Sequence, residues 1–306
     1  MINELLSRVL VPLDGSPNAE RILPPLRRLL SPDDSSVTLL QALSFVNPSA
    51  REDADRYLWK VAFDLRSEGY RANYAIRYGP AEETVLEEAA ARGSTLIALA
   101  THGRSGLQRL VLGSVAEKLL QLSDIPVLLT RSFPSAAAPE NPAAVAIRNV
   151  LLPLDGSPEA LDALKPILAV ARRMDARIHL LEVGEDAPYP GHWESPDETA
   201  KKADQVLREA CIPTTFERLH GNPAEEILRA AGQHEADLIV MSTHGRSGPA
   251  LWLKGSVTAD VLQRTTIPML VVRRQARRAL QQIPVGSFAQ DPAMPAENSV
   301  PVLPPA

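Results

Sequence analysis

RVLVPLDGSP, residues 8–17, returns as NVLLPLDGSP at residues 149–158, an offset of 141 positions. Each copy is a short, β-branched apolar run that breaks into Asp-Gly-Ser-Pro, the pattern of a strand entering a tight turn. Outward from this stretch the likeness continues. RYGPAEETVLEEAA at Arg77–Ala90 matches RLHGNPAEEILRAA near Arg218–Ala231, and THGRSG at Thr101–Gly106 recurs at Thr243–Gly248 with an offset of 142, so one residue is gained in between. Residues 97–131 and 239–273 share 16 identities in 35 positions, against roughly two expected for unrelated chains of ordinary composition. The chain is a duplication. A unit of this length is a self-standing domain, not a solenoid element.

Within each copy, apolar runs alternate with segments of helical period, giving β-α-β-α-β-α-β-α-β. Strands are expected near Val9–Leu13, Val37–Leu43, Asn73–Arg77, Leu96–Ala100 and Val127–Thr130. The second set falls near Val150–Leu154, Ile178–Val183, Thr215–Leu219, Leu238–Ser242 and Met269–Val272. Ile22, Leu26 and Leu29–Leu30 recur at helical spacing, as do Val85, Leu86 and Ala89–Ala90. Near-continuous apolar strands such as TLIALA and DLIVMS are those of a parallel sheet covered on both faces. The fold class is therefore α/β: two tandem, open, doubly wound five-stranded parallel sheets with helices on both faces. The domains run over residues 1–132 and 148–274, joined by a Pro/Ala/Ser-rich linker, 133–147, and followed by a Pro-rich tail, 275–306, that lacks periodicity and reads as disordered.

A net charge of −5 and the lack of a Lys/Arg stripe argue against a nucleic-acid partner. The opening residues show no signal-peptide core and no run approaches a membrane span, so a cytoplasmic location is expected. The single cysteine, Cys211, excludes an intrachain disulfide and reads as a small buried or half-buried residue.

In open parallel sheets, ligands bind beyond the carboxyl ends of the strands, where the repeated motifs fall. Asp14 and Asp155 end the first strand of each copy; they are either turn and cap residues or contacts to a ribose or base. The fourth strand of each copy runs into THGRSG and, with nine residues intervening after Gly103 or Gly245, into Gly-Ser-Val opening a helix. Gly113, Ser114 and Val115, with Gly255, Ser256 and Val257, are candidates for a phosphate site: glycine admits close backbone approach, serine can donate, and a helix N-terminus favours an anion. The alternative is a plain helix start. Arg104 and Arg246 either pair with phosphate or sit solvated. His102 and His244 read as structural, since no nucleophile order or metal-ligand spacing surrounds them. Trp252 of the second loop reads as a packing residue.

The pattern resembles the universal stress protein family, whose nucleotide-binding members carry Gly-x-x-Gly, nine residues, then Gly-Ser or Gly-Thr. Gly103 and Gly245 match the second glycine, and Gly113–Ser114 and Gly255–Ser256 match the end. The first glycine is replaced by Ala100 in one copy and Ser242 in the other. The family's Pro-x-Asp matches Pro12–Leu13–Asp14 and Pro153–Leu154–Asp155, and its adenine-contacting position falls on Ala42 and Val183. The resemblance implies an adenine nucleotide, ATP first and ADP or AMP as alternatives, with Mg2+ able to accompany the phosphates. It further implies a role in stress response and pairing through the fifth strand, here as an internal pseudo-dimer, with a homodimer of whole chains as a further level. A non-binding tandem scaffold of the same fold is the alternative. An adenylating enzyme is disfavoured because LDGSP stands where a Gly-rich loop is needed and no GxxxxGK[ST] loop or paired carboxylates substitute, leaving at most slow ATP hydrolysis.

Overall fold

The computed structural model describes residues 4–101, 112–131, 146–184, 198–242 and 257–272, all within the compact unit Met1–Gln275. Residues 133–145 of the linker, 102–106 and 243–248 of the THGRSG loops, and the tail lie outside the described residues.

The first copy runs β1 (Arg8–Pro12), α1 (Leu23–Leu29), β2 (Ser36–Leu43), α2 (Pro48–Ser67), β3 (Arg71–Tyr78), α3 (Ala81–Ala91), β4 (Leu96–Ala100), α4 (Ser114–Leu122) and β5 (Val127–Thr130). The second repeats it with β6 (Asn149–Leu154), α5 (Leu164–Met174), β7 (Arg177–Gly184), α6 (Glu198–Glu209), β8 (Thr214–His220), α7 (Pro223–Gln233), β9 (Leu238–Ser242), α8 (Val257–Arg264) and β10 (Met269–Val272). The alternation read from periodicity holds in both copies. Helix α1 is shorter than its apolar spacing suggests: Ile22 belongs to a preceding 3-10 turn, and Pro24 and Pro25 lack the N–H groups an earlier helical turn would need in its interior.

The strand order is β3-β2-β1-β4-β5-β10-β9-β6-β7-β8. Every pairing within a copy is parallel, and order reverses between β1 and β4 and between β6 and β9. The two five-stranded sheets are not separate layers. They join edge to edge through an antiparallel β5·β10 pair, Leu128 opposite Leu270. Register also locates the inserted residue. Val37 pairs with Ala72 and its counterpart Ile178 pairs with Thr214, so the offset changes between β7 and β8.

Strand alternation sorts the core into two apolar layers. One contains Val9, Val11, Leu96 and Ala98 with α1 and α2, and continues through Val150, Leu152, Leu238 and Val240 to α5 and α6. The opposite layer contains Leu10, Leu40, Ile97 and Leu99 with α3 and α4, and continues through Leu151, Leu181 and Ile239 to α7 and α8. Both layers cross the β5·β10 seam, so the copies share their cores.

Ion pairs fasten the same seam on the α1 side. Arg28 of α1 reaches Asp237, just before β9, at 2.5 Å, while the other carboxylate oxygen of Asp237 accepts from the backbone of Arg148 and Asn149 at 2.8 and 3.1 Å. Arg173 of α5 donates to both carboxylate oxygens of Asp34, at 2.9 and 3.0 Å. The cysteine differs from expectation: Cys211 is exposed. It follows the end of α6 in a left-handed turn, φ 58°, with its N–H on Arg208 O, a helix-terminating conformation that turns the side chain outward.

Candidate functional site

Beyond β1, Asp14 accepts through Oδ1 from the Ser16 backbone N–H at 2.9 Å and from the Ser16 hydroxyl at 2.6 Å. Asp155 does the same with Ser157, at 3.0 and 2.5 Å. The intervening glycines have φ of 83° at Gly15 and 76° at Gly156, the left-handed region closed to most side chains. Asp-Gly-Ser is thus a side-chain-closed turn in both copies, and the turn reading of Asp14 and Asp155 is realised through one carboxylate oxygen of each. Asp14 is half-buried and Asp155 exposed.

At the end of β4, buried Thr101 accepts from the Gly113 N–H at 2.9 Å, and Gly113 O receives the first helical bond of α4 from Glu117. Helix α4 therefore opens at the carboxyl end of β4. Gly113 occupies the cap position in extended conformation with no side-chain cap among the described residues, and Ser114 is exposed. A buttress holds the helix: Lys118 is paired with Glu82 of α3, an ion pair that holds the Glu82 carboxyl below its ordinary range. In the second copy α8 begins at Val257. Gly103, Arg104, Gly245, Arg246, Gly255 and Ser256 lie outside the described residues, as do His102, His244 and Trp252.

The two layers decide which predicted residues share a face. Alternation from Leu40 puts Ala42 in the α3–α4 layer; Val183, Val115 and Val257 pack against that same layer, and Pro12 and Pro153 follow Leu10 and Leu151 into it. Leu13 and Leu154 belong to the opposite layer and are core residues, 4% exposed each. So do the departures from the glycine pattern. Ala100 follows Leu96 and Ala98, and Ser242 follows Leu238 and Val240, so both side chains sit on the α1–α5 side of the sheet. Ala100 is 9% exposed.

One charged cluster escaped the sequence reading. Arg77, paired in register with Ala42, donates to buried Glu88 of α3 at 2.9 and 3.2 Å, and Arg92 reaches the same carboxylate at 2.5 Å. Its sequence signal was Glu88 itself, a charge on the helical stripe of Val85 and Ala89. In copy two Leu219 stands opposite Val183, so this cluster is confined to copy one. No group of three or more metal-ligating side chains occurs among the described residues, and none of their helices is long and apolar enough to cross a membrane.

A sequence model of the universal stress protein family matches residues 6–131 and again residues 146–273. The chain belongs to the universal stress protein family. Universal stress protein MJ0531 of Methanocaldococcus jannaschii is 32% identical over 140 residues, 42% of this chain and 82% of that protein. A universal stress protein of Mycolicibacterium smegmatis is 26% identical over 295 residues, 87% of this chain and 96% of that one, so the tandem arrangement extends beyond this chain. Among solved structures, a universal stress protein from Archaeoglobus fulgidus superposes with a TM-score of 0.69 at 21% identity, covering 90% of this chain and all of that one; the likeness is one of fold.

Proposed function

We propose that this universal stress protein binds an adenine nucleotide, ATP in the first instance, at the carboxyl ends of β1 and β4 and of β6 and β9, and that occupancy regulates its part in the stress response. One observation carries the reading. The two side chains that replace the family's first glycine, Ala100 and Ser242, fall on the α1–α5 face, whereas Ala42, Val183, Pro12, Pro153, Val115 and Val257 share the α3–α4 face. The side chains that depart from the family's glycine pattern are therefore directed away from the residues that would line the base and phosphate path. The N-terminus of α4, tied to the strand end by the Gly113–Thr101 bond, supplies unspent N–H groups and a favourable dipole for an anion. Mg2+ would arrive with the phosphates, and the domain unit for each site is the stretch read from sequence, 1–132 and 148–274.

A non-binding scaffold is the second reading, and the turn favours it: Asp14 and Asp155 each commit Oδ1 to a neighbouring serine. Nucleotide released by denaturing the purified protein separates the two. Gly113 has φ −63° and ψ 143°, which any residue adopts, so Gly113→Glu tests charge and bulk at the phosphate position without backbone strain. Gly255→Glu is the matching change in copy two. Stoichiometric ATP or ADP in wild type, lost in the double variant, is the expected result. Absence of nucleotide together with no calorimetric response to ATP and magnesium would leave the scaffold reading standing.

A further inference from the structure

Among the described residues, six large apolar side chains are exposed, and five of them, Phe45, Val46, Trp59, Phe63 and Tyr78, belong to the β2-α2-β3 unit at the free end of the sheet. Trp59 and Phe63, 51% and 53% exposed, stack with ring centroids 5.3 Å apart and an interplanar angle of 18°. They continue a stripe along α2: Glu52, Arg56, Trp59 and Phe63 recur at spacings of four, three and four, the seam of one helix against another. The buried side of the helix, Leu58, Val61 and Leu65, is already spent on the core.

The other end of the sheet lacks the stripe. The buried residues Leu58, Val61 and Leu65 of α2 correspond to Ala200, Ala203 and Leu207 of α6, each 142 positions on, which places Lys201 and Gln205 at the positions of Trp59 and Phe63. Lys201 pairs with Glu198 and Gln205 with Glu209, so that surface is polar and exposed. A paired aromatic seam on one copy only, in a duplicated chain, has no counterpart in the shared fold to explain it.

We propose that this seam is the contact by which two copies of the chain associate, α2 against α2, antiparallel about a two-fold axis passing beside Trp59. The charges on the stripe suit that arrangement. With Trp59 at the axis, Phe63 of one copy lies opposite Arg56 of the other, a cation over an aromatic face, and Glu52 lies opposite Arg66, whose Nε is anchored on Ala72 O at 2.7 Å. Each contact occurs twice by symmetry. Because the opposite end carries Lys201 and Gln205, association closes at two chains and does not propagate into a filament. The proposal does not depend on nucleotide binding.

Light scattering and sedimentation of the full chain at tens of micromolar test it. The expected mass is twice 33.2 kDa for wild type and for Lys201→Glu, and the single-chain mass for Trp59→Glu and for Phe63→Ser, each with an unchanged far-UV spectrum. Arg56→Glu should raise the dissociation constant about tenfold, the worth of a cation–π contact made twice. A monomeric wild type at that concentration would overturn the proposal. So would a dimer indifferent to both aromatic substitutions.

Discussion

Lowering the pH should destabilise the fold through His179 of copy two. This β7 side chain is 6% exposed, its ring stacks on His234 at 4.3 Å, and its Nδ1 lies 2.7 Å from the Thr215 hydroxyl. Asn149 Oδ1 stands 3.4 Å from Nε2. Burial first, then the neighbouring His234 and Arg177, push its pKa down from the ordinary 6.5 to about 4, with Glu217 opposing. The folded chain thus keeps the imidazole neutral where the unfolded chain protonates it. Between pH 6.5 and 4 the unfolded state binds more protons, so the stability is fully present above pH 6.5 and is lost as pH falls toward 4. A difference of about 2.5 units at roughly 1.36 kcal/mol each amounts to about 3 kcal/mol, a large share of the stability of an ordinary domain. Carboxylates titrate in the same window, so the informative quantity is a difference. Urea unfolding of wild type and His179→Gln from pH 7 to pH 4 should give curves that converge by about 3 kcal/mol as pH falls. An NMR titration of the His179 ring should place its midpoint near 4. A midpoint at or above the ordinary value, with parallel stability curves, would refute the reasoning.

Asp237→Ala removes an acceptor for Arg28 and for the backbone N–H groups of Arg148 and Asn149, the bonds to Arg28 and Asn149 being partly buried and that to Arg148 exposed; we expect a loss of about 2–4 kcal/mol, read as a lower urea midpoint. Leu128→Ala opens a cavity under the β5·β10 pair, where Leu128 is fully buried opposite Leu270. A cost of about 2–5 kcal/mol follows from the lost transfer and cavity terms, and because the seam carries both core layers, spectroscopic probes in either copy should report it.

The duplicated RVLVPLDGSP stretch disclosed the two copies, and local apolar periodicity disclosed their strands, because alternation and helical spacing are properties of neighbours along the chain. The same locality made Asp14 and Asp155 recognisable as strand-end residues and Gly113 as a helix opening. It left Asp14 open between turn and ligand contact, since that choice depends on where a carboxylate oxygen points. Partners remote in sequence were beyond its reach. No local pattern tells that Asp237 meets Arg28, 209 residues away, that His234 stacks on His179, or that β5 and β10 pair antiparallel to make one ten-stranded sheet. Nor could composition show which face takes Ala100, because one small residue reads alike on either side of a strand. Trp59 and Phe63 show the same divide. A spacing of four suits a helix, but only the packed sheet, by claiming Leu58, Val61 and Leu65 for its core, turned the aromatic pair toward solvent.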